Sequence, residues 1–300
     1  MEFRSGVISP GENVSEGWEI IKDDYWTFFA MTLVALIAVI AASLILGTIT
    51  NLITFGITKA FGIAAQNSDT AGKFALFIPQ LISSIIGTFT NVIIITISGA
   101  FYTGIYTALS RKFSGGGTDF SDLFSGFQKL FPCFIVAVVM SVFQFVITVI
   151  GLGIGVAVGV TAFGTGIFTS EGQLNPAIFG SFFAIIAALF IVYLIISIIV
   201  AALTIFVYPI IADKNLSGGE AILLSIKSGF ANIGGLILLI LLLGLMSFGG
   251  ALLCLVGALF VAPILAAAVF SAFRKVFPST NESYNYEPPS PPTFGNQSGY

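Results

Sequence analysis

The chain has 300 residues, of which 57% are hydrophobic and 8% charged, and its formal net charge is −3. Soluble domains carry about 25% charged residues, so this composition excludes a water-facing surface for most of the chain. Histidine is absent, which removes the commonest metal ligand and the commonest general base, and no cofactor or metal is expected.

Residues 1–24 hold six acidic residues against Arg4 and Lys22. A secretory signal begins instead with a cationic segment, so the first apolar run is expected to stay as a membrane anchor. After a short tail (1–9), Ser9-Pro10-Gly11-Glu12 has the pattern of a capping box with proline at the first helical position. Val14, Trp18, Ile21 and Tyr25 then recur at helical spacing, with Glu12, Glu16, Glu19 and Asp23 on other faces.

Five charge-free runs follow: Tyr25–Thr58, Phe74–Ser110, Leu130–Ser170, Gly172–Ala212 and Ser228–Phe273. A hydrocarbon core roughly 30 Å thick takes about 20 apolar residues in helical form. Each run is long enough to cross, and the last is long enough to cross twice. Six spans are predicted, at about 26–50, 78–109, 131–164, 177–211, 232–249 and 252–276. Phe248-Gly249-Gly250 supplies the turn dividing the last run, with Gly257 as the alternative.

The cationic residues orient these spans. One side would hold Arg4, Lys22, Arg111, Lys112, Lys129, Lys214, Lys227, Arg274 and Lys275, and the other only Lys59 and Lys73. By the positive-inside rule both termini are expected to be cytoplasmic, and the membrane expected is the cell inner (plasma) membrane.

The segment before spans 1, 3 and 5 repeats a pattern. Thr118 is placed to cap a helix before Asp119, and Ser217-Gly218-Gly219-Glu220 is a second capping box. Apolar stripes follow at Phe120, Leu123, Phe124, Phe127 and Phe131, and at Ile222, Ile226, Phe230 and Ile233. A glycine–aromatic pair recurs as Gly17-Trp18, Gly126-Phe127 and Gly229-Phe230. The expected fold is an all-α integral membrane protein: six transmembrane helices in three hairpins, each preceded by a cytoplasmic amphipathic helix lying at the interface. Residues 10–277 form one membrane domain. Residues 278–300, with Glu287-Pro-Pro-Ser-Pro-Pro292, read as a disordered cytoplasmic tail.

Candidate chemistry is sparse. Cys133 and Cys254 sit in apolar runs and read as small hydrophobes. No ionisable residue lies centrally in a span, which argues against proton-coupled or charged-substrate transport and leaves open sodium sites built from carbonyls and hydroxyls. On span 2, Gln80, Ser84, Gly87, Asn91, Ser98 and Tyr102 share one helical face, and Gln144 on span 3 is placed to partner them. That face lines a polar cavity or, the commoner use of such residues, bonds helix to helix. The intramembrane polar candidates are therefore Asn91, Gln144, Ser98 and Tyr102. Gly151, Gly155 and Gly159 form two overlapping G-x-x-x-G steps, a helix-packing strip. The expected partners are the lipid bilayer and, for that strip, a neighbouring helix, another membrane protein or a second copy. No nucleic acid is expected.

The stretch from Phe206 to Ser225 carries Pro209, Asp213, Ala221 and Ser225: a span ending in Pro-x-x-x-Asp, a short turn, then a helix with Ala and Ser in its first turns. It resembles uncharacterised prokaryotic membrane-protein families similar to the membrane domain fused to some glycerophosphodiester phosphodiesterases. Gly17-Trp18 and Phe120-Ser121-Asp122-Leu123-Phe124 fit the same style, and the resemblance spans about 10–278. It implies a six-helix membrane module. The catalytic domain of those enzymes has no counterpart here, so their activity does not carry over. The reading is a non-enzymatic multi-pass protein with a structural or accessory role in membrane or envelope homeostasis. The alternative is a carrier or channel for a neutral or lipid-like solute.

Overall fold

The computed structural model describes residues 3–66, 77–164, 176–252 and 256–278. Regular structure among them is entirely helical: α1 (Pro10–Ile21), α2 (Tyr25–Gln66), α3 (Phe77–Phe113), α4 (Asp122–Ser125), α5 (Leu130–Gly164), α6 (Pro176–Thr204), α7 (Val207–Lys214), α8 (Gly218–Ala231), α9 (Ile233–Leu252) and α10 (Val256–Val276). Six helical stretches are long and apolar enough to cross a membrane, so the chain is a multi-pass membrane protein of the all-α class.

Some boundaries differ from those read in the sequence, for local reasons. The first long helix runs to Gln66, past residue 50. The fourth breaks between Thr204 and Val207, because Pro209 has no N–H to give and its ring would strike the carbonyl four residues back. There it starts α7, where the missing donor is harmless. Phe248-Gly249-Gly250 is not a turn but part of α9, and Gly257 lies within α10. Gly250 serves close packing instead: a β-carbon there would fall 2.9 Å from the backbone of Gly257 and Ala258. The tail (279–300) and Cys254 lie outside the described residues.

The caps also divide. At Ser217 the capping box is complete, with the Glu220 carboxylate accepting from the Ser217 N–H at 3.1 Å. At Ser9 no side-chain cap forms, and Glu12 points to Lys275 at 3.6 Å. Thr118 caps nothing: its hydroxyl donates to Asp24 at 3.0 Å, and α4 begins later, at Asp122. Residues 3–9 pack on the bundle. The Arg4 N–H donates to the Val276 carbonyl at 2.9 Å and the Gly6 N–H to Asn232 Oδ1 at 2.8 Å.

The glycine–aromatic repeat has a common structural meaning. A β-carbon on Gly17 would lie 2.7 Å from Ala268 N on α10, one on Gly126 would lie 1.8 Å from the Ala100 carbonyl on α3, and one on Gly229 would lie 3.0 Å from Leu203 Cα on α6. Each pre-span segment is thus pressed backbone-to-backbone on an even-numbered span: span 6, span 2 and span 4.

The receiving helix ends match one another. Ile105-Tyr106-x-Ala108-Leu109, Val207-Tyr208-x-Ile210-Ile211 and Val269-Phe270-x-Ala272-Phe273 share one pattern, and all of these are buried except the half-buried Tyr208. Tyr106 stacks on Phe270 at 6.0 Å and Phe206 meets Phe273 at 6.1 Å. These side chains make the main core, at the end of the bundle nearest α1, α4, α7 and α8. Ion pairs ring it: Arg111–Asp122 at 2.8 Å, Lys112–Asp24 at 2.5 Å and Lys275–Glu16 at 3.1 Å. The predicted apolar stripes turn one member into this core (Ile21, Leu123, Ile222) and leave Trp18, Phe124 and Phe230 exposed.

Candidate functional site

The polar residues of α3 do not act as one face. Helix α3 runs between α2 and α10 on one side and α5 on the other, and its neighbours change along its length. Near the packed end, Ser98 and Tyr102 line a cavity of about 590 Å³ between α2, α3 and α10 whose other walls are almost wholly apolar. Ser98 donates to its own helix at the Ile94 carbonyl, 2.8 Å away, and Tyr102 stacks on Tyr208 at 5.9 Å.

Farther along, Asn91 and Gln144 come together. Both line a cavity of about 380 Å³ between α3 and α5, and both line a second of about 310 Å³ that α6 also walls. The two cavities therefore meet at the two amides. Asn91 lies thirteen residues along α3 from Gly104, which at 1.5 Å per residue is about 20 Å. That depth is inside a hydrocarbon core about 30 Å thick when Gly104 stands near its edge.

The hydroxyls around this cleft are mostly committed. Ser84 donates to the Gln80 carbonyl at 2.9 Å, Thr88 to Ser84 at 2.8 Å and Thr148 to Gln144 at 2.8 Å. Such back-bonding satisfies the hydroxyl proton within the helix and leaves the oxygen lone pairs turned outward. Thr50 and Thr90 bond across α2 and α3 at 2.6 Å, the expected helix-to-helix use. The side chains of Asn91 and Gln144 form no hydrogen bond among the described residues, and Ser141, 2% exposed on the cleft wall, has an unpartnered hydroxyl.

The packing strip on α5 is described only at its first step. A β-carbon on Gly151 would meet nothing within 4 Å; the surroundings of Gly155 and Gly159 lie outside the described residues. Close backbone approach occurs instead at the packed end, where Gly104 would place a β-carbon 2.0 Å from the Leu123 carbonyl and Gly218 one 2.2 Å from that of Pro132. Sequence reasoning missed these sockets. The signal was present, as the thrice-repeated apolar–aromatic–x–apolar–apolar ending of the even spans.

A second polar group holds the packed end together. Asp213 accepts from Ser110 Oγ at 2.5 Å and pairs with Lys214 at 3.0 Å, while Lys129 Nζ donates to the Ile211 and Ala212 carbonyls at 2.9 and 2.8 Å. Pro209 and Ala221 are buried, and Ser225 Oγ donates to the Leu203 carbonyl at 2.8 Å. Each residue of the sequence pattern noted above therefore has an architectural role. Cys133 is buried with its Sγ 3.5 Å from Thr103 Oγ1. Comparison with known proteins finds no matching family model, curated protein or solved structure.

Proposed function

We propose that this chain is a non-enzymatic protein of the cell inner membrane, with both termini cytoplasmic and a structural or accessory role in membrane or envelope homeostasis. Its plan would be three hairpins, each introduced by a segment seated at the interface. The observation that carries this reading is the use made of charge. Arg111–Asp122, Lys112–Asp24 and Lys275–Glu16 each tie the end of one span to a segment that leads into another. The ionisable groups thereby fix architecture at one end, and exposed Trp18, Trp26, Phe124 and Phe230 beside them suit a headgroup layer. The resemblance to the phosphodiesterase-linked membrane domains belongs to this same proposal.

The cleft at Asn91 and Gln144 favours a second reading, a carrier for a neutral solute. Reconstitution separates the two. Proteoliposomes of the chain that pass no neutral solute faster than empty vesicles support the accessory role, whereas saturable flux supports the carrier. Topology has its own test, in a variant with both native cysteines replaced. Cysteines at positions 115, 216 and 290 should label only from the cytoplasmic side, and those at 68 and 172 only from outside. Labelling of position 290 from outside would end the six-span plan.

A further inference from the structure

We propose that the cleft between α3, α5 and α6 is a binding site for a small neutral polyol, held at its centre by Asn91 and Gln144. The inference rests on the cleft that suggests a carrier, but it does not require transport.

Three observations point to this ligand class. First, the cleft is polar without being charged, because no Asp, Glu, Lys or Arg among the described residues lines either cavity. A charged solute would find no counter-charge there, and an apolar occupant would leave two amides unsatisfied. Second, the cleft offers acceptors and donors side by side. Ser84, Thr88 and Thr148 have given their protons to their own helices, so each offers only lone pairs. The Asn91 and Gln144 amides each add a carbonyl acceptor and an NH2 donor. A good ligand must therefore both donate and accept, which a polyol does and an ether does not. Third, the amides are not consumed as helix-to-helix glue. They line the same cavities without bonding each other, and the buried Ser141 hydroxyl beside them is also free. Each cavity has about ten times the roughly 30 Å³ that one water occupies, ample for a four-carbon polyol.

The test uses the full chain in lipid nanodiscs with Cys133 and Cys254 replaced by alanine. Ser197→Cys places a thiol on the α6 wall of the cleft, and Ile191→Cys, on an exposed stretch of α6, is the control. A small hydrophilic methanethiosulfonate should modify Ser197→Cys at least tenfold faster than the control. Erythritol should slow that reaction at least threefold at concentrations where choline chloride and 1,2-dimethoxyethane do not. Asn91→Leu, Gln144→Leu and the double variant should each weaken this protection while leaving the labelling itself, in samples that stay monodisperse on size exclusion.

Labelling no faster than the control would show a dry cleft and overturn the proposal. Labelling without selective protection by erythritol would show water alone, and a Ser197→Cys disulfide between two copies would show a partner chain in the cleft. Either result also overturns it. Flux is read separately. Protection without erythritol flux keeps the site and removes the carrier reading, whereas flux without protection removes the site alone.

Discussion

Phe273 and Phe89 both lie in charge-free helical runs, yet Phe273 is fully buried and Phe89 is 69% exposed. The difference separates two regions. At the end built from α1, α4, α7, α8 and the tips of α3 and α10, side chains enclose one another around a core. Along the rest of α2, α3, α5 and α6, many large apolar side chains are exposed. The physical reason is the solvent. Lipid tails are as apolar as leucine, so apolar burial between helices gains little within the bilayer. A closed core is what the hydrophobic effect rewards where a bundle meets water. The molecule is therefore rigidly built at one end and openly built along its spans, which leaves room for a polar cleft there.

The largest expected effect sets these two phenylalanines against each other. Phe273→Ala should lower unfolding stability in detergent by about 3–5 kcal/mol, while Phe89→Ala should stay within about 0.5 kcal/mol. Equal losses would remove the distinction between the regions.

Asn13 sharpens the comparison from the opposite direction. It is fully buried on α1 and neither side-chain amide atom has a partner among the described residues. Asn13→Leu, of similar shape, should raise stability by about 1–3 kcal/mol. A loss instead, measured by thermal unfolding, would mean that the amide has a role in a bound complex.

The Arg111–Asp122 pair is next. Removing the cation by Arg111→Met leaves the buried Asp122 carboxylate unpaired and should cost about 1–3 kcal/mol. Adding Asp122→Leu should restore part of that loss, since two apolar partners leave no uncompensated charge. An additive double variant would show that the pair is not coupled.

Much of this architecture was legible in the sequence where the signal is local. Charge-free runs are read directly from composition, so the helical membrane class and six apolar helices follow. Ser217 and Glu220 were readable because a capping box is closed within four residues. What stayed hidden depends on which helix faces which. Gly126 looked like half of a repeat, but its reason is the Ala100 carbonyl on α3. Phe248-Gly249-Gly250 looked like a turn because glycine marks both turns and close helix contacts, and only the position of Gly257 and Ala258 decides between them. For the candidate site, Asn91 and Gln144 line the same two cavities. Ser98 and Tyr102 share their helical face yet open on another cavity, because α2 and α10 take the place of α5 and α6 beside that face.

The smallest effect compares the two caps. Ser217→Ala should cost about 1 kcal/mol, whereas Ser9→Ala should change little, as Ser9 makes no side-chain cap. The hydrogen bonds from Ser217 hold the Glu220 carboxyl below its ordinary value. A depressed folded-state value gives stability that is fully present above the unfolded value of about 4.3 and lost as pH falls through the lower folded one. The stability difference between wild type and Glu220→Gln should therefore be constant near neutrality and change only below about pH 4.3. A change near pH 7 would contradict this assignment.

Each pre-span segment is seated by its glycine on an even-numbered span. Unfolding Gly17→Ala, Gly126→Ala and Gly229→Ala beside Gly47→Ala and Gly151→Ala, where a β-carbon would meet nothing within 4 Å, measures that seating. The first three should be destabilised by about 1–3 kcal/mol or more, Gly126→Ala the most. The other two should be unchanged or slightly more stable, since alanine favours a helix over glycine by about 1 kcal/mol. If the first three melt like Gly151→Ala, the segments are not seated on the spans.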